Sequence, residues 1–292
     1  MNSDFKRLLS EYQEFTEKQL INIFNSIDQV PPVLADAMRY AVLDGGKRIR
    51  PVLCFAVSDM LGVNKELVKE FAIAIECIHS YSLIHDDLPA MDNDDYRRGK
   101  LSTHKKFGEA IGILAGDALL NFAFEICLNK QNFTAHDAKA LKLLADYAGS
   151  VGMIKGQVLD LQNEKSAIVN EQTLYDVYLN KTAKLIMAPI LIPSIIANKK
   201  HFEELKEYAF NLGVMFQISD DIMDVEGTVE LIGKTPNKDA DSDKLTSIKV
   251  LGLSGAKERS EKHYLEAIKI LGKINAPKFI FDLTEKMYKR KK

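Results

Sequence analysis

The sequence predicts an all-α protein, and three observations carry that prediction. Apolar residues recur at helical spacing along most of the chain, as in the stripes Leu67, Phe71, Ile75, Ile78, Ser82 and Ala110, Ile111, Leu114, Ala118, Phe122. Alternation of the strand type is nearly absent, with only Thr228 to Gly233 hinting at an extended piece. Turn residues punctuate the pattern at Pro31-Pro32, Gly45-Gly46, Pro51, Pro89, Gly99, the segment Asn163 to Gln172 and the run Gly227 to Ser247, none of which has the composition of a disordered linker. About ten or more helices are expected, several of them apolar on more than one face and therefore central in a bundle.

Composition narrows the function classes. A net charge of -2 with 27% charged residues describes a near-neutral protein, which argues against general nucleic-acid or membrane-surface binding. The 3 cysteines, Cys54, Cys77 and Cys127, lie far apart in apolar helical contexts and read as reduced core thiols of a cytoplasmic protein. The N-terminus MNSDFKRLLSEYQEF is charged and amphipathic, unlike a signal peptide. The longest uncharged stretch, Leu185 to Asn198, is short for a membrane span and is expected to be broken by Pro189 and Pro193. No stable membrane insertion is expected.

Two aspartate-rich clusters, each following an apolar helical stretch, are the main chemical signal: Asp86, Asp87 and Asp92 in HDDLPAMDND, and Asp220, Asp221 and Asp224 in QISDDIMD. Carboxylates beside buried helix surface are costly unless neutralised, and Mg²⁺ prefers such hard oxygen ligands. Asp220 and Asp224 are one helical turn apart and share a face, with Gln217 on the same stripe. Asp86 and Asp92 would point to different sides of a continuous helix. Pro89 resolves this, because it should end the helix near Asp87 and let the chain fold Asp92 back toward Asp86.

Positive residues sit where a phosphate would need them. Arg97 and Arg98 follow the first cluster, while Lys47, Arg48 and Arg50 lie in GGKRIRP. Arginine forks match phosphate oxygens, and lysine adds a flexible point charge. His79 lies seven residues before Asp86 on the same stripe. Glu76 and His79 also spell the Glu-x-x-His of di-iron bundles, but that site requires two copies and the chain has one.

Taken in order, GGKRIRP, IHSYSLIHDDLPAMDNDDYRRGK, GDALL, GQVLDL, KTAKL and FQISDDIMD resemble the trans-isoprenyl diphosphate synthases over nearly the whole chain, most closely the bacterial short-chain enzymes of the farnesyl diphosphate synthase type. The resemblance implies one domain over residues 1–292 with the isoprenoid synthase fold, a helical bundle around a central cavity, usually as a homodimer. It implies condensation of isopentenyl diphosphate with dimethylallyl or geranyl diphosphate, with Mg²⁺ held by Asp86, Asp87, Asp92, Asp220, Asp221 and Asp224. Arg97, Lys181, Gln217 and Lys234 would bind the allylic diphosphate, and Lys47, Arg50, His79 and Arg98 that of isopentenyl diphosphate. Lys181, Thr182 and Gln217 would act at the reacting carbon.

The run Gly227 to Ser247 is expected to form a flap, with Lys234, Lys238 or Lys244 closing onto phosphate. Tyr81 and Ser82 would floor the hydrocarbon tunnel, about 7 Å along the helix from Asp86. A bulky Tyr81 predicts farnesyl diphosphate as product, with geranylgeranyl diphosphate the alternative. The chain departs from the family's usual pattern at Asn180, often His, and Ser247, often Tyr. A terpene cyclase would carry an Asn, Ser and Glu triad in place of DDIMD, and a non-catalytic partner subunit should have lost part of this set.

Overall fold

The chain folds as the helical periodicity requires, and its computed structural model describes residues 3–43, 45–164, 170–226 and 244–289. The expected extended piece at Thr228 to Gly233, most of the expected flap, and Lys234 and Lys238 lie outside the described residues. Two compact units are distinguished: Met1–Asp59 with Val63–Leu141, and Met60–Gly62 with Lys142–Lys292.

In the first unit, α1 (Ser3–Phe24), α2 (Pro32–Leu43), α3 (Ile49–Leu61) and α4 (Lys69–Asp86) are followed by short α5 (Thr103–Phe107) and long α6 (Glu109–Leu128). α4 is the central helix, burying Phe71 to Ile78 without interruption, then Ser80, Tyr81 and Ile84. That all-round burial follows from its apolar composition. Its charged exception, Glu76, accepts from Arg48 Nη1 at 2.8 Å. Arg48 is itself buried, and it also donates to Glu17 at 2.6 Å and to the Val42 carbonyl at 2.7 Å. The guanidinium therefore ties α1, the end of α2 and α4 together. Glu76 is occupied by this structural task, which leaves no role for it in a di-iron site.

One expectation is refined and one corrected here. Of the stripe Ala110, Ile111, Leu114, Ala118 and Phe122, which does lie on a helix, Ile111, Ala118 and Phe122 are partly buried, while Ala110 is exposed and Leu114 is 52% exposed. The helix buries Gly112, Ala115, Gly116, Leu119 and Ala123 instead. Glu109, Asp117, Asn121 and Glu125 take the exposed side of α6, and on the buried side a Cβ at Gly116 would lie 2.0 Å from His85 Nε2, so the glycine leaves room for that imidazole. Extended structure is also present where none was expected, as a hairpin pairing β1 (Tyr96–Arg97) with β2 (Lys100–Leu101). Arg98 and Gly99 both have positive φ, 53° and 77°, at its turn, as the tight hairpin turns of the primed types demand.

After α7 (Ala135–Ala148), the second unit contains α8 (Met153–Asn163), α9 (Glu171–Tyr178), a π-helical turn over Leu179–Ala183, α10 (Lys184–Ile196), α11 (Phe202–Glu226), α12 (Ser247–Lys273) and α13 (Lys278–Tyr288). Pro189 and Pro193 do not break α10, which is another correction to the sequence reading. They are one turn apart, so the missing N–H groups fall on one side, and burial of nearly every α10 side chain offsets a cost of about 3 kcal/mol for each. α12 is kinked at Gly252, where φ is 69°. Among the described residues, two helical stretches, Glu109–Leu128 and Glu171–Ile196, are long and apolar enough to cross a membrane, and the apolar part of the second is 72% buried inside the protein.

Candidate active site

α4 ends where Pro89 predicts. Asp86 is its last residue and Asp87 its C-cap. The chain then turns back, with the Asp92 N–H donating to the Asp86 carbonyl at 2.8 Å and the Asp94 N–H to the Asp87 carbonyl at 3.1 Å. Asp86 and Asp92, six residues apart in sequence, thus become hydrogen-bonded neighbours with partly exposed side chains.

Asp87 has a different environment. It is 2% exposed and receives Arg97 Nε at 3.0 and 3.2 Å, with a further short contact from Nη2. Burial raises its pKa, while the Arg97 hydrogen bonds and charge pull it back. Asp94 adds to the Arg97 pair at 3.6 Å.

The hairpin turns Arg98 toward the GGKRIRP segment, where its Nη1 donates to the Gly45 carbonyl at 2.7 Å. A Cβ on Gly46 would come within 3.1 Å of the Arg98 guanidinium, so that glycine makes room for the arginine. Of the expected isopentenyl diphosphate group in GGKRIRP, Lys47 is exposed and Arg50 partly buried, while the intervening Arg48 is wholly committed to structure. Burial, and then the charges of Arg50, Arg98, Arg97 and Arg48, hold the His79 pKa well below its usual value. The neutral imidazole is therefore favoured at His79, with Arg48 already paired to Glu17 and Glu76 and Arg97 to Asp87.

Tyr81 is buried, and its pKa is pushed up to about 12 by burial and by the Asp86 charge. Its ring meets His85 edge-on with centroids 5.6 Å apart. Ser82 is partly buried and donates its hydroxyl to the His79 carbonyl at 2.9 Å.

The second cluster is a regular part of α11. Asp220 and Asp224 are partly exposed on one face, as expected. Asp221 is 3% exposed and accepts four hydrogen bonds: Tyr178 Oη on one oxygen, Ser247 N–H at 2.7 Å and Ser247 Oγ at 2.8 Å on the same oxygen, and Gln217 Nε2 at 3.1 Å on the other. Burial raises its pKa to about 6 against the pull of these donors. Gln217 Oε1 in turn accepts from Thr182 Oγ1 at 2.7 Å.

Lys181 and Thr182 lie on the π-helical turn, a local widening often associated with functional sites. Two glycines permit it. A Cβ on Gly156 of α8 would fall 2.0 Å from the Lys181 backbone nitrogen, and one on Gly213 of α11 would fall 2.5 Å from Ala183 Cβ. Lys181 Nζ pairs with Asp160 of α8 at 2.5 Å. Asn180 bridges the turn, donating to the Asp176 carbonyl at 2.7 Å and accepting from Lys184 at 2.8 Å. Lys244 is described and partly buried.

Mg²⁺ fits the partly exposed pair of each cluster, which offers hard oxygen donors, and the first pair also lies close in the chain to Arg97 and Arg98. Among the described residues no three His, Cys, Asp or Glu side chains converge as a ready metal site. Mg²⁺ is commonly held by one or two carboxylates together with substrate phosphate, so these two pairs suit a metal that arrives with its substrate.

Residues 31–278 match the family described as polyprenyl synthetase. The chain belongs to that family. Among polyprenyl synthetase relatives, the farnesyl diphosphate synthase of Micrococcus luteus is 45% identical over 281 residues, covering 94% of this chain and 92% of that protein. The farnesyl diphosphate synthase of Haemophilus influenzae is 42% identical over 296 residues, covering 99% and 98%. A Helicobacter pylori geranyltransferase structure, complexed with magnesium and isoprenyl diphosphate, superposes with a TM-score of 0.85 at 32% identity, covering 98% of this chain and 97% of that one.

Against this polyprenyl synthetase background, sequence reasoning missed Asp160, Tyr178 and Ser247 as partners of site residues. GQVLDL held the clue to Asp160, since Gly156 and Asp160 are one helical turn apart and face the same turn of chain. Tyr178 and Ser247 carry no local signal, because their partner is distant in sequence.

Proposed function

We propose that this polyprenyl synthetase condenses isopentenyl diphosphate with dimethylallyl and geranyl diphosphate to give farnesyl diphosphate, releasing inorganic diphosphate. The observation that carries the proposal is the fold-back at Pro89, which makes Asp86 and Asp92 neighbours just after Tyr81 and close in sequence to Arg97 and Arg98. The family match across most of the chain supports a single catalytic domain over residues 1–292.

In this reading, Asp86 and Asp92, with Asp220 and Asp224, hold Mg²⁺ for the allylic diphosphate, while Asp87 and Asp221 are internally engaged. The metal supplies neutralisation of charge on the leaving diphosphate. Arg97, Lys181 and Lys234 add positive charge to that group, and Lys47, Arg50, Arg98 and neutral His79 bind the diphosphate of isopentenyl diphosphate. The allylic carbon–oxygen bond breaks with its electron pair leaving on diphosphate. The alkene of isopentenyl diphosphate then forms the new carbon–carbon bond, and the released diphosphate accepts the proton lost from the adduct. Thr182 and Gln217 present oxygen dipoles to the cation, a preorganised environment of the kind that stabilises charge as it develops.

Tyr81 stops elongation at fifteen carbons, and its buried position on α4 just before Asp86 supports that role. Tyr81→Ala is expected to shift the products toward geranylgeranyl diphosphate; an unchanged product length would remove Tyr81 as the floor. Exposed apolar residues on α6 (Ile113, Leu114, Leu128) and on α8 (Ile154, Val158, Leu161) support a homodimer, and three buried free thiols support a cytoplasmic location. Incubation with labelled isopentenyl diphosphate, geranyl diphosphate and Mg²⁺, followed by chromatography of dephosphorylated products, tests the proposal. Farnesol is expected; a cyclised hydrocarbon or no product would overturn it.

A further inference from the structure

Asp221, Gln217 and Thr182 form a hydrogen-bond relay whose direction is dictated by donor chemistry. The Ser247 backbone N–H can only donate, and Tyr178 and the Ser247 hydroxyl approach the same carboxylate oxygen. That oxygen must be an acceptor. The other oxygen meets Gln217 at 3.1 Å, and an ionised carboxylate accepts only, so the amide must turn its NH₂ group toward Asp221. Its carbonyl then faces Thr182 at 2.7 Å, where the hydroxyl proton is donated. A hydroxyl has one proton and two lone pairs. With the proton committed to Gln217, Thr182 Oγ1 has only lone pairs to offer elsewhere. The relay lies beside an apolar cluster that includes Val177, Val214, Ile218 and Leu245, which disfavours competition from water.

We infer that Asp221 is a positioning residue rather than a magnesium ligand, and that it acts through Gln217 to fix the Thr182 hydroxyl with its lone pairs toward the allylic cation. The inference rests on the prenyl-transfer reading and deepens it. Tyr178 and Ser247 are the anchors that keep the carboxylate from turning outward.

The near-isosteric change Asp221→Asn reverses the relay. Ser247 N–H is shared between this carboxylate oxygen and Tyr178 Oη at 2.6 Å, and only a carbonyl at that position of the introduced amide keeps Ser247 N–H, Ser247 Oγ and Tyr178 Oη all as donors, so its NH₂ group faces Gln217. Gln217 then turns its own carbonyl to that NH₂ group and its own NH₂ group to Thr182, which becomes an acceptor with its proton free to point at the cation.

Asp221→Asn is expected to lower kcat about 100-fold or more, comparable to loss of one preorganised charge-stabilising contact, with KM for both diphosphates changed less than about threefold. Calorimetric binding of Mg²⁺ in the presence of a non-cleavable thiolo analogue of geranyl diphosphate should be unchanged. Adding Asp221→Asn to Thr182→Val should cost less than about threefold more, because both act on one hydroxyl. Gln217→Glu in the Asp221→Asn background restores an acceptor facing both neighbours, and should recover kcat at least about tenfold.

A tenfold or greater weakening of Mg²⁺ binding in Asp221→Asn would overturn the inference in favour of a ligand role, as would independent multiplication of the Asp221 and Thr182 effects or failure of the Glu rescue. If circular dichroism shows Asp221→Asn unfolded, Gln217→Leu breaks the same relay, and its additivity with Thr182→Val decides. Absence of prenyl product from the wild-type protein would instead defeat the underlying reading.

Discussion

The two acidic regions solve the same problem with different chemistry. Each has a pair of adjacent aspartates in which the first is partly exposed and the second is buried. In the first region the buried carboxylate is held by a full positive charge on Arg97; in the second, Asp221 is held by a phenol, a serine and an amide. The first region needs an irregular chain, with Pro89 ending α4 and a hairpin returning Arg97, whereas the second is an uninterrupted helix. In the first region one guanidinium meets both carboxylate oxygens by itself. Neutral donors must all be placed at once, and in return they impose a direction on the groups beyond them.

The comparison breaks most visibly at the exposed aspartates. Asp86→Ala and Asp220→Ala should each reduce turnover by roughly 10³-fold or more, the scale of losing a contact to developing charge. Circular dichroism should stay helical. Near-normal turnover in either variant would remove that cluster from the reaction.

At the buried aspartates the expected loss is stability, and it should differ between regions. Arg97→Ala leaves Asp87 buried without its cation and should cost on the order of 3 kcal/mol in urea unfolding, at the low end for a broken buried pair because Arg97 is partly exposed. Tyr178→Phe removes one of several neutral donors to Asp221 and should cost roughly 1 to 2 kcal/mol. Equal losses would show that charge and neutral donors hold these carboxylates alike.

A smaller, pH-dependent effect is carried by His263, in addition to that of His79 beside the first region. His263 on α12 is buried between Asn211 and Tyr175, its ring nitrogens 2.7 and 2.9 Å from their oxygens. Burial, then the charges of Arg259 and Lys262, lower its pKa to about 4. The unfolded chain therefore binds the proton first, so this contribution is complete above pH about 6.5 and is lost as pH falls toward 4. His263→Gln should flatten that part of the urea-midpoint profile; an unchanged slope would place the acid sensitivity elsewhere.

How much could be read from the sequence depended on the range of the interactions. The Asp220, Asp224 stripe and the turn at Pro89 are consequences of local geometry, and both expectations hold. Arg48 and Arg50 look alike in GGKRIRP, yet only contact with Glu17 and Glu76 makes Arg48 structural. The close approach of α6 to α4 escaped because it depends on Gly116 meeting His85, a residue distant in sequence. The π-helical turn needs Gly156 and Gly213 from two other helices, and Tyr178 meets Ser247 across a long stretch of sequence. Neither leaves a periodic trace.

The most direct test is a Mg²⁺ titration of product formation by four variants made in parallel: Asp86→Asn, Asp87→Asn, Asp220→Asn and Asp221→Asn. The half-saturating Mg²⁺ concentration should rise about tenfold or more in the Asp86 and Asp220 variants, the loss of roughly one ligand's worth of binding. The Asp87 and Asp221 variants should keep the wild-type value, whatever their rates. An equal rise in all four would show that the two aspartates of each pair do the same work, and would contradict the account.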